Sequence, residues 1–247
     1  MNIRNLFKVT ENIKVAEKTW RMVLEGDTES IKAPGQFVNL EVEGHFLRRP
    51  ISLCDAADGK ITLLYDVVGE GTREMSRWEP GHVTDVLTGL GNGFNPDCAA
   101  ERPLLLGGGI GVAPLLLLAR ILVANGKSPI AVLGFNKAED IVLADELRLA
   151  GAEVYVATAD GSAGTKGFVT DAIKAHCLPT EYFYACGPMP MLKALALGME
   201  CPGELSLDER MACGFGVCMC CSIKTRSGAK RICKDGPVFA KEELIFE

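Results

Sequence analysis

Cys213, Cys218, Cys221 and Cys233 stand near the C-terminus with the spacing C-x4-C-x2-C-x11-C, inside MACGFGVCMCC and RICKDG. Four thiolates can hold an iron–sulfur cluster, and C-x4-C-x2-C followed by a distant fourth cysteine is the plant-type 2Fe–2S spacing. Gly214 and Gly216 suit such a loop, because a chain wrapped around a cluster turns tightly and its backbone comes close to the sulfurs. Four cysteines also serve structural zinc. Those sites usually pair two short C-x2-4-C knuckles, and the second knuckle is missing, so the spacing favours the cluster. Cys220, between two of the four, has no assigned role.

Three further motifs have chemistry within reach. Gly107-Gly108-Gly109-Ile110-Gly111-Val112-Ala113-Pro114 lies between an apolar run and a helical pattern, where glycines let N–H groups meet a phosphate. The full dinucleotide fingerprint is not there, since no acidic residue follows at the expected distance on a second strand. Cys186-Gly187-Pro188-Met189 ends a later strand. In an open α/β sheet, ligands bind beyond the carboxyl ends of the strands, so this turn and the glycine loop are expected to face one nucleotide. Arg48-Arg49-Pro50-Ile51-Ser52 and Gly69-Glu70-Gly71-Thr72 lie earlier in the chain. An arginine can grip a pyrophosphate, a serine can hydrogen-bond a flavin ring and a Gly-Thr turn can offer N–H groups. His45, His82 and His176 are scattered and form no metal cluster or nucleophile–base pair. Cys54, Cys98, Cys177 and Cys201 are expected to be small packing residues.

The elements that must position these motifs fall into three stretches. Up to about residue 97 the chain is β-rich: Phe37–Val42, Ile61–Val68 and Val83–Leu90 read as strands, separated by turns such as Pro34-Gly35 and Pro80-Gly81. Short strands at that spacing predict a small antiparallel barrel over residues 1–97. Residues 98–200 alternate strands (Leu104–Leu106, Ile130–Phe135, Glu153–Thr158, Tyr182–Ala185) with helices (Pro114–Val123, Ala138–Leu149, Phe168–His176, Met189–Leu197). Such alternation predicts a doubly wound parallel α/β sheet. Residues 201–247 are too few and too rich in cysteine for a third ordinary core, and a cluster is expected to hold them together.

The 247 residues are 48% hydrophobic, enough for a sizeable core, and the formal charge of −6 argues against a nucleic-acid partner. Ten cysteines would permit disulfides, but Met1 to Asn5 lead into alternating residues with no apolar signal core. The expectation is a reducing, cytoplasmic compartment with metal-bound or free thiols. The uncharged stretch Pro103–Ala119 is interrupted by glycines and a proline and is short for a bilayer, so no membrane span is expected.

In this order the motifs resemble the ferredoxin–NADP reductase superfamily and, within it, the electron-transfer subunits of NAD-dependent, type B dihydroorotate dehydrogenases. RPIS and GEGT resemble the flavin-binding barrel motifs, and GGGIGVAP and CGPMPM those of the pyridine-nucleotide domain. ERMACGFGVCMCC with CKDGPVF resembles the C-terminal cluster module; TGLGNGF and DGSAGTKG are also similar. The resemblance spans essentially the whole chain. It implies FAD held by Arg49, Pro50, Ile51 and Ser52, by Leu64, Tyr65 and Asp66, and by the phosphate turn at Gly71 and Thr72. The family often has a basic residue where Asp66 stands, so a backbone contact is what the resemblance implies there. It further implies NAD(H) on Gly108, Gly109, Gly111, Cys186, Gly187 and Pro188, and a 2Fe–2S cluster on the four cysteines. The implied partner is an FMN-containing dihydroorotate dehydrogenase catalytic subunit, in a hetero-oligomer with two copies of each subunit.

The order of cofactors is also the one physical logic demands. NADH gives two electrons as a hydride and a 2Fe–2S cluster takes one, so a flavin belongs between them. No second βα array is present to house an organic substrate, and no acid–base residue is nominated. Exposed parts of Met211–Met219 and Asp235–Phe239 are expected to meet the partner. Two other readings stand beside this one. The first is a reductase subunit of another flavo-iron–sulfur complex, of the ferredoxin:NADP oxidoreductase or sulfide dehydrogenase type. The second is a colourless, non-enzymatic nucleotide-binding module stabilised by zinc.

Overall fold

A computed structural model of the chain describes residues 3–98 and 100–246. The packing role expected of the Cys98 side chain lies outside the described residues.

Six antiparallel strands close into a barrel: β1 (Ile3–Lys14), β2 (Thr19–Glu25), β3 (Phe37–Leu40), β4 (Arg49–Ala57), β5 (Lys60–Asp66) and, after the short helix α1 (Glu70–Met75), β6 (Val83–Leu90). The ring order is β1-β2-β5-β4-β3-β6. Side chains alternate across the wall as a strand's period of two requires. Ile61, Leu63 and Tyr65 point inward with Val38, Leu40 and Leu53, whereas Cys54 and Leu64 join an apolar cluster with Val112, Ala113 and Leu116 beyond the barrel. The outer face of β4 and β5 therefore serves as a wall of the next layer.

That layer is the α/β sheet. It runs through β7 (Leu104–Gly108), α2 (Leu115–Ala124), β8 (Ile130–Phe135), α3 (Ala144–Leu149), β9 (Glu153–Thr158), the short β10 (Thr165–Lys166), α4 (Val169–Ala175), β11 (Phe183–Cys186), α5 (Met189–Gly198) and β12 (Gly203–Ser206). The strand order is β10-β9-β8-β7-β11-β12, all parallel, and the direction of winding reverses between β7 and β11. A crevice opens beyond the strand ends at such a reversal. The helix expected over Ala138–Leu149 is broken. A single turn at Ala138–Asp140 is followed by Leu143 at a φ of 62°, and only then by α3. Val142, Leu143 and Ala144 are all buried, and three consecutive residues of one continuous helix cannot all face one core.

The tail leaves the sheet and returns to it. After β12 come the hairpin β13 (Ser222–Thr225) and β14 (Gly228–Arg231), the single turn α6 (Ile232–Asp235), and β15 (Val238–Ala240), which pairs antiparallel with β12 at the sheet edge. The division expected at residue 201 thus falls ahead of two strands that belong to the α/β sheet. Ile232, Phe239, Cys221 and Cys233 share one core with Leu104 and Phe183 of the sheet and with Phe37 and Leu90 of the barrel. Among the described residues no helix is long and apolar enough to cross a membrane.

Candidate functional site

Cys213 lies near Cys218 and Cys221 near Cys233, although among the described residues no three of these side chains are gathered into a metal site. Main-chain donors converge on them: Val217 N–H reaches Cys213 Sγ at 3.3 Å and Cys233 N–H reaches Cys221 Sγ at 3.4 Å. Burial pushes the Cys213 thiol up, but the N–H groups of Cys218, Phe215 and Val217 together outweigh it and bring its pKa down to about 6. Burial and the neighbouring Cys221 push Cys233 up to about 12. The choice of a two-iron cluster over a tetrahedral zinc rests on the C-x4-C-x2-C spacing. Cys221 and Cys233 are buried, while Cys218 is exposed, so the assembly is open on one side. Cys220 is exposed, and its thiol contacts the Arg210 carbonyl at 3.6 Å. Gly214 and Gly216, with φ of 76° and 89°, supply the left-handed turns of the loop. Arg231 ties the loop to α6, donating from Nη1 to the Gly216 carbonyl (2.6 Å) and from Nε to Asp235 (3.3 Å).

On the barrel, the two adjacent arginines have separate tasks. Arg48 is spent on structure: its guanidinium pairs with Asp85 (2.7 Å) and Glu41 (3.2 Å) and donates to the Asp85 carbonyl at 3.0 Å. Arg49 meets no carboxylate among the described residues; its donors go to the Leu47 carbonyl and, at 3.2 Å, to His45 Nδ1. Its guanidinium lies across the Gly71 turn so closely that a Cβ on Gly71 would sit 2.1 Å from Arg49 Nε. An uncompensated guanidinium over a glycine turn fits a phosphate. The Thr72 hydroxyl is engaged within that turn, accepting from the N–H groups of Val68 (3.0 Å) and Gly69 (3.2 Å). Leu47, Arg49 and Pro50 form one wall of an open cleft of about 830 Å³, whose other wall is Asp208, Glu209, Arg210 and Met211. Burial, and then Glu209, hold Asp208 above the usual carboxylate range.

Of the second barrel segment, Leu64 alone turns its side chain toward the α/β layer. Tyr65 points into the barrel and donates to Asn12 Oδ1 at 3.0 Å, and burial pushes its phenol up. Asp66 accepts from the Thr19 hydroxyl (2.6 Å) and pairs with Lys18 (2.8 Å).

At the winding reversal, the turns after β7 and β11 touch. A Cβ on Gly111 would lie 2.4 Å from the Cys186 carbonyl oxygen, and one on Gly187 would lie 3.0 Å from Gly108 N. Only bare backbone fits there. Gly109, in contrast, opens onto free space. Pro188 packs against Gly108, and burial pushes the Cys186 thiol up to about 12, so it stands in the crevice as a neutral group.

Residues 208–245 match the model of the iron–sulfur cluster binding domain of dihydroorotate dehydrogenase B, and residues 105–196 match the oxidoreductase NAD-binding domain. The dihydroorotate dehydrogenase B (NAD(+)) electron transfer subunit of Fusobacterium nucleatum is 41% identical over 253 residues, covering 97% of each chain. The chain belongs to this family. The subunit of the same name from Bacillus caldolyticus is 42% identical over 255 residues, covering 98% of this chain and 99% of its own. Among solved structures, an NADH-dependent reduced ferredoxin-NADP oxidoreductase superposes with a TM-score of 0.87 at 30% identity, over 97% of this chain and 89% of its own.

For a member of the dihydroorotate dehydrogenase B electron transfer subunits, the structure adds residues that sequence reasoning passed over. Asn39 of β3 donates from Nδ2 to the Cys213 carbonyl at 3.1 Å. Asn92, within the TGLGNGF motif, donates to the Val238 carbonyl at 2.7 Å and accepts from its N–H at 3.1 Å. Arg231 bridges the cluster loop to α6. Asn39 carries no local signal, being an outward polar residue in an alternating strand. Asn92 lies in a motif that the resemblance had marked without a role. Of the Asp235–Phe239 segment, Gly236 to Phe239 are buried, which leaves only Asp235 partly exposed. Phe215, Val217 and Met219 are the exposed apolar residues of the loop.

Proposed function

We propose that this protein is the electron-transfer subunit of a dihydroorotate dehydrogenase complex of pyrimidine biosynthesis. It would act in the cytoplasm, beside an FMN-containing catalytic subunit and with two copies of each chain. When bound, FAD accepts the hydride of NADH and releases electrons singly to the 2Fe–2S cluster. Everything else is the work of the chain. As units of function, residues 1–97 carry the flavin, 98–200 the nicotinamide nucleotide and 201–247 the cluster.

Arg49 and the Gly71–Thr72 turn hold the FAD pyrophosphate, Pro50, Ile51 and Ser52 shape the flavin's strand, and the second segment contributes through Leu64 and the main chain. The side chains of Tyr65 and Asp66 are already spent elsewhere. Gly108, Gly109 and Gly111, with Cys186, Gly187 and Pro188, seat NADH at the winding reversal. Cys213, Cys218, Cys221 and Cys233 hold the cluster, and Phe215, Val217 and Met219 offer an apolar surface at its open side for the catalytic subunit.

The observation that supports this reading best is that Cys213, Cys218, Cys221 and Cys233 all lie within the residues that match the iron–sulfur cluster binding domain of dihydroorotate dehydrogenase B, behind a closed barrel and a sheet with a nucleotide-type crevice. Purified protein should be yellow-brown, contain iron, acid-labile sulfide and FAD, and oxidise NADH with artificial acceptors. It should not reduce NAD with dihydroorotate until a dihydroorotate dehydrogenase catalytic subunit is added, with which it should form a stable hetero-oligomer. Dihydroorotate oxidation by the lone chain, or failure to bind such a subunit, would end the proposal.

A further inference from the structure

Asn39 is 1% exposed, yet its amide does nothing for the barrel that contains it. Val38 and Leu40 point into the barrel, and Asn39 points out. Its Nδ2 crosses to the cluster loop and donates to the Cys213 carbonyl at 3.1 Å. Its Oδ1 is buried and receives no donor among the described residues. A buried amide left half-satisfied costs stability, so its retention calls for an explanation other than barrel packing. Contact with the loop is close at the next residue too: a Cβ on Gly214 would sit 2.4 Å from Asn39 Nδ2.

The register explains what the contact achieves. In the β3–β4 ladder Asn39 stands opposite Pro50 and Phe37 opposite Ser52. Opposed residues point to the same face, and neighbouring strands lie about 4.8 Å apart. The outward residues of the flavin strand and the residues that touch the cluster module are therefore adjacent columns of one surface. Phe37 packs in the core that contains Cys221 and Cys233, and Asn39 holds Cys213, so β3 is the wall between the flavin strand and the cluster. Arg48 fixes that wall, donating to the Asn39 carbonyl at 3.3 Å and to the Asp85 carbonyl at 3.0 Å.

We propose that Asn39 is a positioning residue for the one-electron step between flavin and cluster, holding the Cys213 main chain at a set distance from the strand that carries Pro50 and Ser52. The step rests on the function proposed above. One electron leaves the reduced flavin and one ferric iron becomes ferrous; no bond between heavy atoms forms or breaks. Asn39 touches neither group and acts through Cys213.

The test compares the FAD- and cluster-loaded protein with Asn39→Leu, which removes both amide functions, and Asn39→Asp, which keeps the shape and replaces the donor by an acceptor facing the Cys213 carbonyl. Iron, sulfide and FAD are counted first. Rapid mixing with NADH then resolves flavin bleaching from cluster reduction, and freeze-quenched EPR and amide exchange of residues 214–217 report the loop itself. The expected result is unchanged flavin bleaching, cluster reduction slowed about tenfold or more, a shifted EPR spectrum and faster exchange in the loop. Where only one variant keeps its cluster, that variant decides. Unchanged cluster reduction and EPR in a fully loaded variant would overturn the proposal. So would loss of cluster or FAD from both variants, because Asn39 would then serve assembly rather than transfer. If NADH fails to reduce the cluster even in the unaltered protein, the proposed function is at fault, not Asn39.

Discussion

Asn92 holds Val238 by both of its main-chain groups, its Nδ2 donating to the carbonyl at 2.7 Å and its Oδ1 accepting the N–H at 3.1 Å. The Asn92 N–H adds a third bond, to the Gly236 carbonyl at 2.8 Å. The side chain thus behaves as a strand partner for β15, and it joins the end of the barrel to the segment that follows Cys233.

Asn92→Ala removes two of these bonds and leaves buried main-chain groups unpaired. At about 1 kcal/mol for each bond, the loss is about 2 kcal/mol. For a chain of this length that corresponds to a fall in Tm of about 4–8 °C. Calorimetry of the FAD- and cluster-loaded protein measures it. A Tm within 1 °C of the unaltered protein (about 0.3–0.5 kcal/mol) would mean that the clamp adds nothing.

Arg49→Ala takes a charge-assisted contact from the FAD phosphates, worth about 1.5–3 kcal/mol, and should weaken FAD about 10- to 100-fold. Gly71→Ala should act in the same direction, since its Cβ would occupy the place of the Arg49 guanidinium. Flavin fluorescence titration of the stripped protein reads both. Arg48→Ala is the contrasting variant: it breaks the tie to Asp85 and Glu41 and should lower thermal stability. Equal FAD affinity in Arg49→Ala and the unaltered protein would remove Arg49 from the flavin site.

Gly111→Ala places a methyl group 2.4 Å from the Cys186 carbonyl and must part the two turns of the crevice. The KM for NADH should rise about tenfold or more, with FAD content and the cluster EPR signal retained. Steady-state oxidation of NADH with ferricyanide shows the change. An unaltered KM would move the nicotinamide nucleotide elsewhere.

Alanine at any of Cys213, Cys218, Cys221 or Cys233 should abolish the reduced-state EPR signal, and Cys220→Ala should keep it. If Cys220 proved indispensable and one of the four did not, the ligand set would be wrong. Removal of the cluster by chelation should leave the circular dichroism of barrel and sheet nearly intact, because β12 and β15 pair with the sheet on their own hydrogen bonds. Limited proteolysis should then cut between residues 207 and 237. Cuts spread over the barrel instead would show that the cluster supports far more than its loop.

What was legible in the sequence was carried by residues close together in it. The thiol spacing of Cys213, Cys218 and Cys221, the glycine turn at 107–111 and the alternation of strand and helix each depend on a few consecutive residues. A period of two or of 3.6 is visible along a line. Three barrel strands, β3, β5 and β6, are legible that way; β4 is not, because Pro50 argues against a strand. The break at Leu143 was hidden for a related reason: a helical pattern does not record which consecutive residues the core will claim.

Tertiary structure decided the rest. Asn39 and Cys213 are 174 residues apart in the chain, and Asn92 and Val238 are 146 apart. Contacts over such separations leave no period and no local composition. The same holds for the unequal fates of neighbours: Arg48 is bound to Asp85 while Arg49 meets no carboxylate among the described residues, and Tyr65 turns inward where Leu64 turns out. Residue types determined which cofactors this protein can hold. The barrel register and the return of the tail to the sheet edge decided how close together they are held, because distance between sites is a property of packing and not of the order of residues.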